Sequence, residues 1–407
     1  MKYRVPDDRH TGFSRYTSQM DRGSLPSGIQ RWELLLMVVV VVAAAAVGAV
    51  AVWQYRNHLR NPSRDLKAER FSYSLDLYQE IPPERIGFEP AWQLAIPGDQ
   101  IRRVTVFQNT AWVCADQSLI PVALTSEGGA VGSPMSVPVT PYCLAVAEWP
   151  DQDNRAERYF VVGGGNQVLV IRETGAVVGE WSFFGRKANI TDLAIADEDV
   201  FLADAGNRVV HRVDRFGEKV AEIGHRDAER GILGFIIPSP YFSLAWNGDG
   251  LLRVVNPGVH RIEFYSPDGD LETFWGKAGL DEAGFCGCCN PARIALLMDG
   301  RIVTVEKGIP RIKVYSPHGD FICWVVLPSY FTGSAQWKET RDQERLPVLD
   351  VGVFQVVEDR GEGEEWIVIL DPARKVLEAF RPKRPEEPND KTPSSGAASA
   401  GTPDEAH

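Results

Sequence analysis

The chain has 407 residues and a formal net charge of −12, enough length for one large or two ordinary domains. The acidic balance argues against nucleic acid as a partner, because a phosphate-binding surface needs a basic patch. Eleven Trp, 37 Gly and 27 Pro in a chain that is 44% hydrophobic point to many turns and large packing side chains, as in all-β folds rather than helical bundles.

Residues 1–31 are polar and irregular and carry Lys2, Arg4, Arg9, Arg15, Arg22 and Arg31. They read as a disordered basic tail. From Leu34 to Val52 every residue is apolar or Gly. Such a run reaches about 28 Å as a helix, the hydrocarbon thickness of a bilayer. Trp32, Trp53 and Tyr55 stand at its ends, where amphipathic rings prefer the membrane interface. Residues 32–55 are therefore expected to form one transmembrane helix; a buried soluble helix would still carry a polar face. The rival is a cleaved signal peptide. Ala49-Val50-Ala51 fits a small-x-small cleavage site, but the apolar run exceeds the usual length of about 7–15 residues. Arg56, Arg60, Arg64, Lys67 and Arg70 follow the span, so basic residues flank it on both sides and do not set its orientation. Long C-terminal domains translocate largely regardless of flanking charge. The expectation is a single-pass cell-membrane protein with its bulk outside the cytoplasm, in a periplasmic or extracellular position.

Residues 56–90 read as a stalk or linker, with a short helix from Arg64 to Gln79 that Ile81-Pro82-Pro83 ends. Beyond it the chain repeats. Arg261-Ile-Glu-Phe-Tyr-Ser-Pro-Asp-Gly-Asp270 and Arg311-Ile-Lys-Val-Tyr-Ser-Pro-His-Gly-Asp320 are near copies, each an alternating strand running into a turn and a second strand. The turn glycines Gly128, Gly175, Gly217, Gly269 and Gly319, with Arg374 at the matching point of a last copy, are 47, 42, 52, 50 and 55 residues apart. A second glycine stands eleven residues before the turn glycine at Gly164, Gly206, Gly258 and Gly308, and marks the tight turn into the preceding strand. Upstream lie two more alternating strands, such as Asp192–Ala196 and Val200–Ala203, or Arg293–Leu297 and Arg301–Val305. Four strands per roughly 40–50 residues is the period of a β-propeller blade.

Asp204-Ala-Gly-Asn-Arg208-Val-Val followed by Val213-Asp-Arg-Phe-Gly217 resembles the NHL repeat, which reads roughly Val-Ala-Asp-x-x-Asn-x-Arg-hydrophobic-x-x-Phe-x-x-x-Gly. Gly234-Phe235…Pro238 and Gly284-Phe285…Pro291 match its entry loop loosely. The resemblance spans residues 91–382 in six copies and is weakest in the first and last. It implies an all-β, six-bladed NHL-like propeller, with Ala91–Ile96 supplying the strand that closes the last blade. Gly333 to Leu346 reads as a loop insertion between blades, and residues 383–407 as a disordered tail too poor in apolar residues to bury a core.

Architecture does not explain Cys286-Gly-Cys-Cys-Asn-Pro291, in the entry loop of the fifth blade. In a propeller that loop lies near one mouth of the central channel, so Cys286, Cys288, Cys289 and Asn290 are the candidate binding residues. The three cysteines admit a disulfide, soft-metal ligation or a redox-active pair, or inert buried thiols. Adjacent Cys288 and Cys289 pair only with strain, which raises the reduction potential. Structural zinc usually takes two separated ligand pairs, and no second pair exists here. Cys114, Cys143 and Cys323 lie in strand-like runs and read as core. Among the histidines, His211, His225 and His260 are expected nearest a channel mouth. Peptide-amidating lyases share the NHL-type propeller but need a histidine zinc site, which these residues do not compose. No phosphate-binding glycine loop and no Gly-x-Ser-x-Gly elbow is present.

The reading is a membrane-anchored scaffold whose channel mouth and loops bind a protein or ligand, with no catalytic residue or cofactor assigned. The alternatives are a redox or metal-dependent accessory protein using the Cys286–Cys289 loop, and a lyase or hydrolase with a channel metal.

Overall fold

The computed structural model describes residues 81–151, 153–333, 348–357 and 363–384, together with a few helical positions near residue 40. The chain divides into two units, residues 1–72 and 73–407. In the first, Val39, Val40, Val42, Ala46 and Gly48 are helical and exposed. Among the described residues no helix is long and apolar enough to cross a membrane. The expected span 32–55, the two tails, most of the stalk and the insertion after Gly333 lie almost wholly outside the described residues.

The second unit is a ring of six antiparallel sheets. Strand β1 (Phe88–Ala95) comes first. Blade 1 holds β2 (Ile101–Phe107), β3 (Thr110–Ala115), β4 (Ser118–Leu124), β5 (Gly129–Val131) and β6 (Met135–Ser136), the last two both pairing with β4. Blade 2 holds β7 (Cys143–Pro150), β8 (Ala156–Gly164), β9 (Gln167–Arg172) and β10 (Val177–Trp181). Blade 3 holds β11 (Ile190–Ala196), β12 (Asp199–Asp204), β13 (Val209–Asp214) and β14 (Lys219–Ile223). Blade 4 holds β15 (Leu244–Ala245), β16 (Leu252–Asn256), β17 (Arg261–Tyr265) and β18 (Leu271–Trp275). Blade 5 holds β19 (Arg293–Leu296), β20 (Ile302–Val305), β21 (Ile312–Tyr315) and β22 (Phe321–Val326). Blade 6 holds β23 (Asp350–Val357), β24 (Gly363–Asp371) and β25 (Val376–Pro382).

The first strands of successive blades touch in a closed cycle, from β2 through β7, β11, β15, β19 and β23 back to β2. They line the axis. The near-identical segments from Arg261 and from Arg311 are the outer hairpins of blades 4 and 5.

Closure differs from the simple repeat in one respect. Arg374 does not occupy a third-to-fourth-strand turn; it sits between β24 and β25, the second and third strands of blade 6. That blade has no such outer turn, because its fourth strand is β1, paired antiparallel to β25 from Phe88↔Pro382 to Ala95↔Val376. One sheet thereby joins the two ends of the ring.

The core is divided among the blade interfaces. Six buried clusters hold the ring, one at each junction; Leu193 and Val200 pack with Val161 and Val170 between blades 3 and 2, and Val351 and Ile367 with Val303 and Val314 between blades 6 and 5. These strands are rich in Val and Ile, which suit a pleated surface packed on both faces. Two of the turn glycines serve the same packing. Gly217 has φ 90°, and a Cβ there would lie 2.2 Å from Nε1 of Trp181, the last residue of β10 in the preceding blade. Gly319, with φ 92°, meets Trp275 of β18 in the same way, at 2.6 Å. The repeat therefore needs glycine there both for positive φ and for space under a tryptophan.

A second recurring device fixes the entry loops. The side chain ending the second strand, or the one just after it, accepts a backbone N–H from the loop entering the same blade: Asp116 from Asp99 and Gln100, Asp204 from Asn189, Asn256 from Ile236, and Glu306 from Cys286. In blades 3, 4 and 5 the amide so satisfied is buried or half-buried and would otherwise be left unpaired; in blade 1 the two amides are exposed.

Candidate functional site

Each blade presents one residue near the start of its first strand at the same level of the axis. These are Arg103, Cys143, Asp192, Ser243 just before β15, Arg293 and Asp350, all buried. Arg103 Nη2 lies 2.5 Å from Asp192 Oδ1, and its Nε 3.4 Å from Asp350 Oδ2. Arg293 Nε lies 3.7 Å from Asp350 Oδ1. Ser243 Oγ donates to Asp192 Oδ2 at 2.6 Å, and the Val104 amide donates to Asp350 Oδ2 at 2.7 Å. Two guanidinium groups and two carboxylates thus form a charge-paired belt across the channel.

The belt's electrostatics follow from burial and pairing. Burial lowers the pKa of Arg103, but Asp192 and Asp350 outweigh it and hold the group above its ordinary range. Arg293 is brought down to about 10 by burial and by the neighbouring Arg103, against the pull of Asp350 and Asp192. Cys143 is raised by burial and then by Asp192, so it stays a thiol. Arg103 Nη1 is buried and has no hydrogen-bond partner.

The belt separates two hollows. On the side of the second-strand turns lies a chamber of about 590 Å³, with Asp192, Asp350, Trp149, Trp246 and Met298 in its walls. On the entry-loop side lies a mouth of about 440 Å³. Its walls include Arg102, Arg103, Arg293, Tyr142 and Tyr241 and, among the described residues, no carboxylate. Arg102 Cζ stands 5.5 Å from the Tyr142 ring centroid. Tyr241 is flanked by two cations, with Arg293 Cζ 5.7 Å and Lys307 Nζ 4.9 Å from its ring centroid. The mouth is a small basic and aromatic bowl whose nearest counter-charges, Asp192 and Asp350, belong to the belt beneath it.

The cysteine segment is in the loop that enters blade 5, on the same face. It lies in the crossover from β18 to β19, which an ion cluster inside blade 5 ties down. Glu306, Arg311 and Lys313 have fully buried side chains; Arg311 Nη2 lies 2.7 Å and Lys313 Nζ 2.9 Å from Glu306. Both cations also donate to crossover carbonyls, Arg311 to Gly284 at 2.6 Å and Lys313 to Gly284 at 2.7 Å and Glu282 at 3.0 Å. Glu306 in turn accepts the Cys286 amide at 2.6 Å.

Within the segment the four candidate residues divide. Asn290 is buried, and its side chain is engaged with the protein: Nδ2 donates to Cys286 O at 2.6 Å and Lys307 O at 3.1 Å, and Oδ1 accepts the Lys307 amide at 2.9 Å. Cys286 is buried, its thiol pushed up to about 12 by burial and by Glu306. Cys288 is exposed and Cys289 buried, and their sulfurs are 2.9 Å apart. Burial raises the Cys289 thiol, but hydrogen bonds from Cys288, Ser239 and Lys307 outweigh it and bring the group below its ordinary value. The bond to Cys289, together with burial, raises Cys288. Lys307 therefore links the thiol pair to Tyr241 and the mouth. The cysteines themselves do not line the mouth.

The histidines sit elsewhere than expected. His211 is on a third strand, away from the axis, and bonds Asp204 at 3.1 Å. His225 is exposed beside Glu222. His260 touches the cysteine segment, its Nε2 donating to Gly287 O at 2.6 Å. None of them lines the channel, because third strands and turns stand outside the inner ring. No group of three or more metal-ligating side chains with suitable placement occurs among the described residues.

No family model matches the chain, and no curated protein does. Solved structures do. A Staphylococcus aureus virginiamycin B lyase crystallised with quinupristin is 15% identical over 71% of this chain and 82% of its own, with a TM-score of 0.44. A streptogramin B lyase is 10% identical over 73% and 97%, with a TM-score of 0.44. A BBS1 N-terminal fragment in complex with ARL6 is 10% identical over 74% and 98%, with a TM-score of 0.46. At these levels the likeness carries no functional argument, and the six blades rest on their own strand pairing.

Proposed function

We propose that this chain is a membrane-anchored, NHL-like propeller that works as an interaction scaffold outside the cytoplasm, and that its entry-loop mouth holds an acidic group of a protein partner. One observation carries the reading: Arg102, Arg103 and Arg293 line a mouth of about 440 Å³ that has no carboxylate among its described walls. Arginine suits planar, bidentate capture of a carboxylate, and the flanking Tyr142 and Tyr241 offer faces for the rest of a peptide. Arg103 lies in the wall of this mouth, and its buried Nη1 has no hydrogen-bond partner. The anchor rests on the apolar run Leu34–Val52 and its aromatic flanks.

The mouth is tested with a labelled oligo-glutamate peptide against the full chain and Arg102→Glu; salt-sensitive binding lost in the variant supports it, and equal binding sinks it. Carbonate extraction of membranes and protease digestion of intact cells test the anchor and its orientation. Release by carbonate, or a propeller protected from external protease in cells stripped of any outer barrier, contradicts them.

A further inference from the structure

We propose that Cys288 and Cys289 are a vicinal dithiol that exchanges with small disulfides and closes reversibly to a Cys288–Cys289 disulfide on the entry-loop face. The two sulfurs stand 2.9 Å apart with no other side chain between them. They divide the work that thiol–disulfide exchange requires: Cys288 is exposed and can meet a solute, whereas Cys289 is buried behind it as the resolving group. The segment is held on both sides of the pair, by the His260 bond to Gly287 O and by the Asn290 bonds to Cys286 O and Lys307, so the sulfurs are presented on a fixed frame. Ser239 and the Lys307 ammonium face Cys289 and favour its thiolate. Cys286 belongs to a different environment, buried against Glu306, which disfavours its thiolate. Cys114, Cys143 and Cys323 are buried inside blades and do not reach solvent. The reaction surface is therefore confined to two adjacent residues.

The step balances with a low-molecular-weight disulfide, RSSR, as oxidant. The step starts from the singly deprotonated form of the pair, with the proton on Cys288 and the charge on Cys289. As the Cys288 sulfur attacks RSSR, its proton passes to Cys289; the R–S–S–R bond breaks, Cys288–S–SR forms and RS⁻ leaves. The leaving RS⁻ takes the proton from Cys289 to become RSH. The Cys289 thiolate then attacks the Cys288 sulfur, and the second RS⁻ leaves. Two electrons have passed to RSSR, and one proton and one negative charge are present before and after. An eight-membered ring between adjacent residues is strained, so free thiols reopen it readily. The inference does not rest on the acidic-partner reading of the mouth.

The test uses the full chain, reduced and then exposed under native conditions to glutathione disulfide, alkylated, digested and mapped by mass spectrometry. The expected product lacks two hydrogens in the peptide carrying the segment, with the bond between Cys288 and Cys289 and Cys286 still alkylatable after denaturation. Cys289→Ser should stop at a glutathione adduct on Cys288. Phenylarsine oxide, which bridges paired thiols, should protect both cysteines of the wild-type protein from alkylation. Recovery of all three as free thiols, a bond from Cys286 to either neighbour, or a glutathione that stays on Cys288 in the wild-type chain overturns the proposal. The mapping of the wild-type protein decides the matter even where the variant does not fold.

Discussion

Arg103 of blade 1 and Asp192 of blade 3 meet across the channel, Nη2 to Oδ1 at 2.5 Å, passing over the blade that lies between them in the ring. The pair is nearly inaccessible, with side-chain exposures of 7% and 6%. A buried ion pair adds little net stability over an apolar pair of the same shape, but removing one partner leaves a buried charge behind. Asp192→Ala should therefore cost about 3–5 kcal/mol of unfolding free energy. Arg103→Met combined with Asp192→Leu should recover most of that loss. Urea unfolding followed by tryptophan fluorescence checks both, and equal losses in the single and double variants would show that the belt is not acting as a pair.

The turn glycines allow a comparison at matched backbone. Gly175 and Gly217 have φ 86° and 90°, but a Cβ at Gly175 meets nothing within 4 Å, whereas at Gly217 it would meet Trp181 at 2.2 Å. Gly175→Ala should cost about 1–2 kcal/mol, from backbone strain alone. Gly217→Ala should cost about 1–3 kcal/mol more, because the indole must shift in a packed interface. Thermal or chemical unfolding of the two variants measures the difference, and equal costs would mean that the tryptophan yields freely.

Lys313 gives a pH dependence of definite sign. Burial brings its ammonium down to about 8, against the pull of Glu306. In the unfolded chain the group titrates near 10.4. Between these values the unfolded state binds more protons, so this group makes stability rise with pH from about 8 to about 10. Below that window the folded protein carries the cost of the buried charge in full. Lys313→Met should lose the rise, so the stability of the variant relative to wild type should fall as pH goes from about 8 to about 10. Denaturant titrations across that range measure the slope; parallel curves for the two proteins would remove the argument.

Much of the fold was legible because its signals are local. Gly175, Gly217, Gly269 and Gly319 each sit at a positive-φ turn, and two of them also lie beneath a tryptophan, so the spacing of one residue type marks the blades. The last blade could not be read by the same rule. Its fourth strand comes from Phe88–Ala95 at the other end of the chain, and with no outer turn to find, Arg374 was matched to a turn one strand too early. The cysteine segment was visible as a departure from the repeat. The mouth beside it was not, because the belt joins residues as distant as Arg103, Asp192 and Asp350, which no motif connects. One signal was available: a charged residue at the start of three first strands, at Arg103, Asp192 and Arg293, and again at Asp350 where the last blade begins. Aligning those strands by level would have put the four charges on one ring. The three histidines could not be sorted without the fold, since only the strand number within a blade separates the axis from the rim.

The role proposed for the arginine-lined mouth is to receive an acidic group. Fluorescence anisotropy of a labelled oligo-glutamate peptide, titrated with the full chain in detergent at low and at high salt, tests it most directly. The prediction is binding that weakens as salt screens the charges and that falls by about tenfold or more in Arg102→Glu, a change of about 1.4 kcal/mol. Absence of binding to the wild-type protein, or binding of equal strength in the variant, would contradict it.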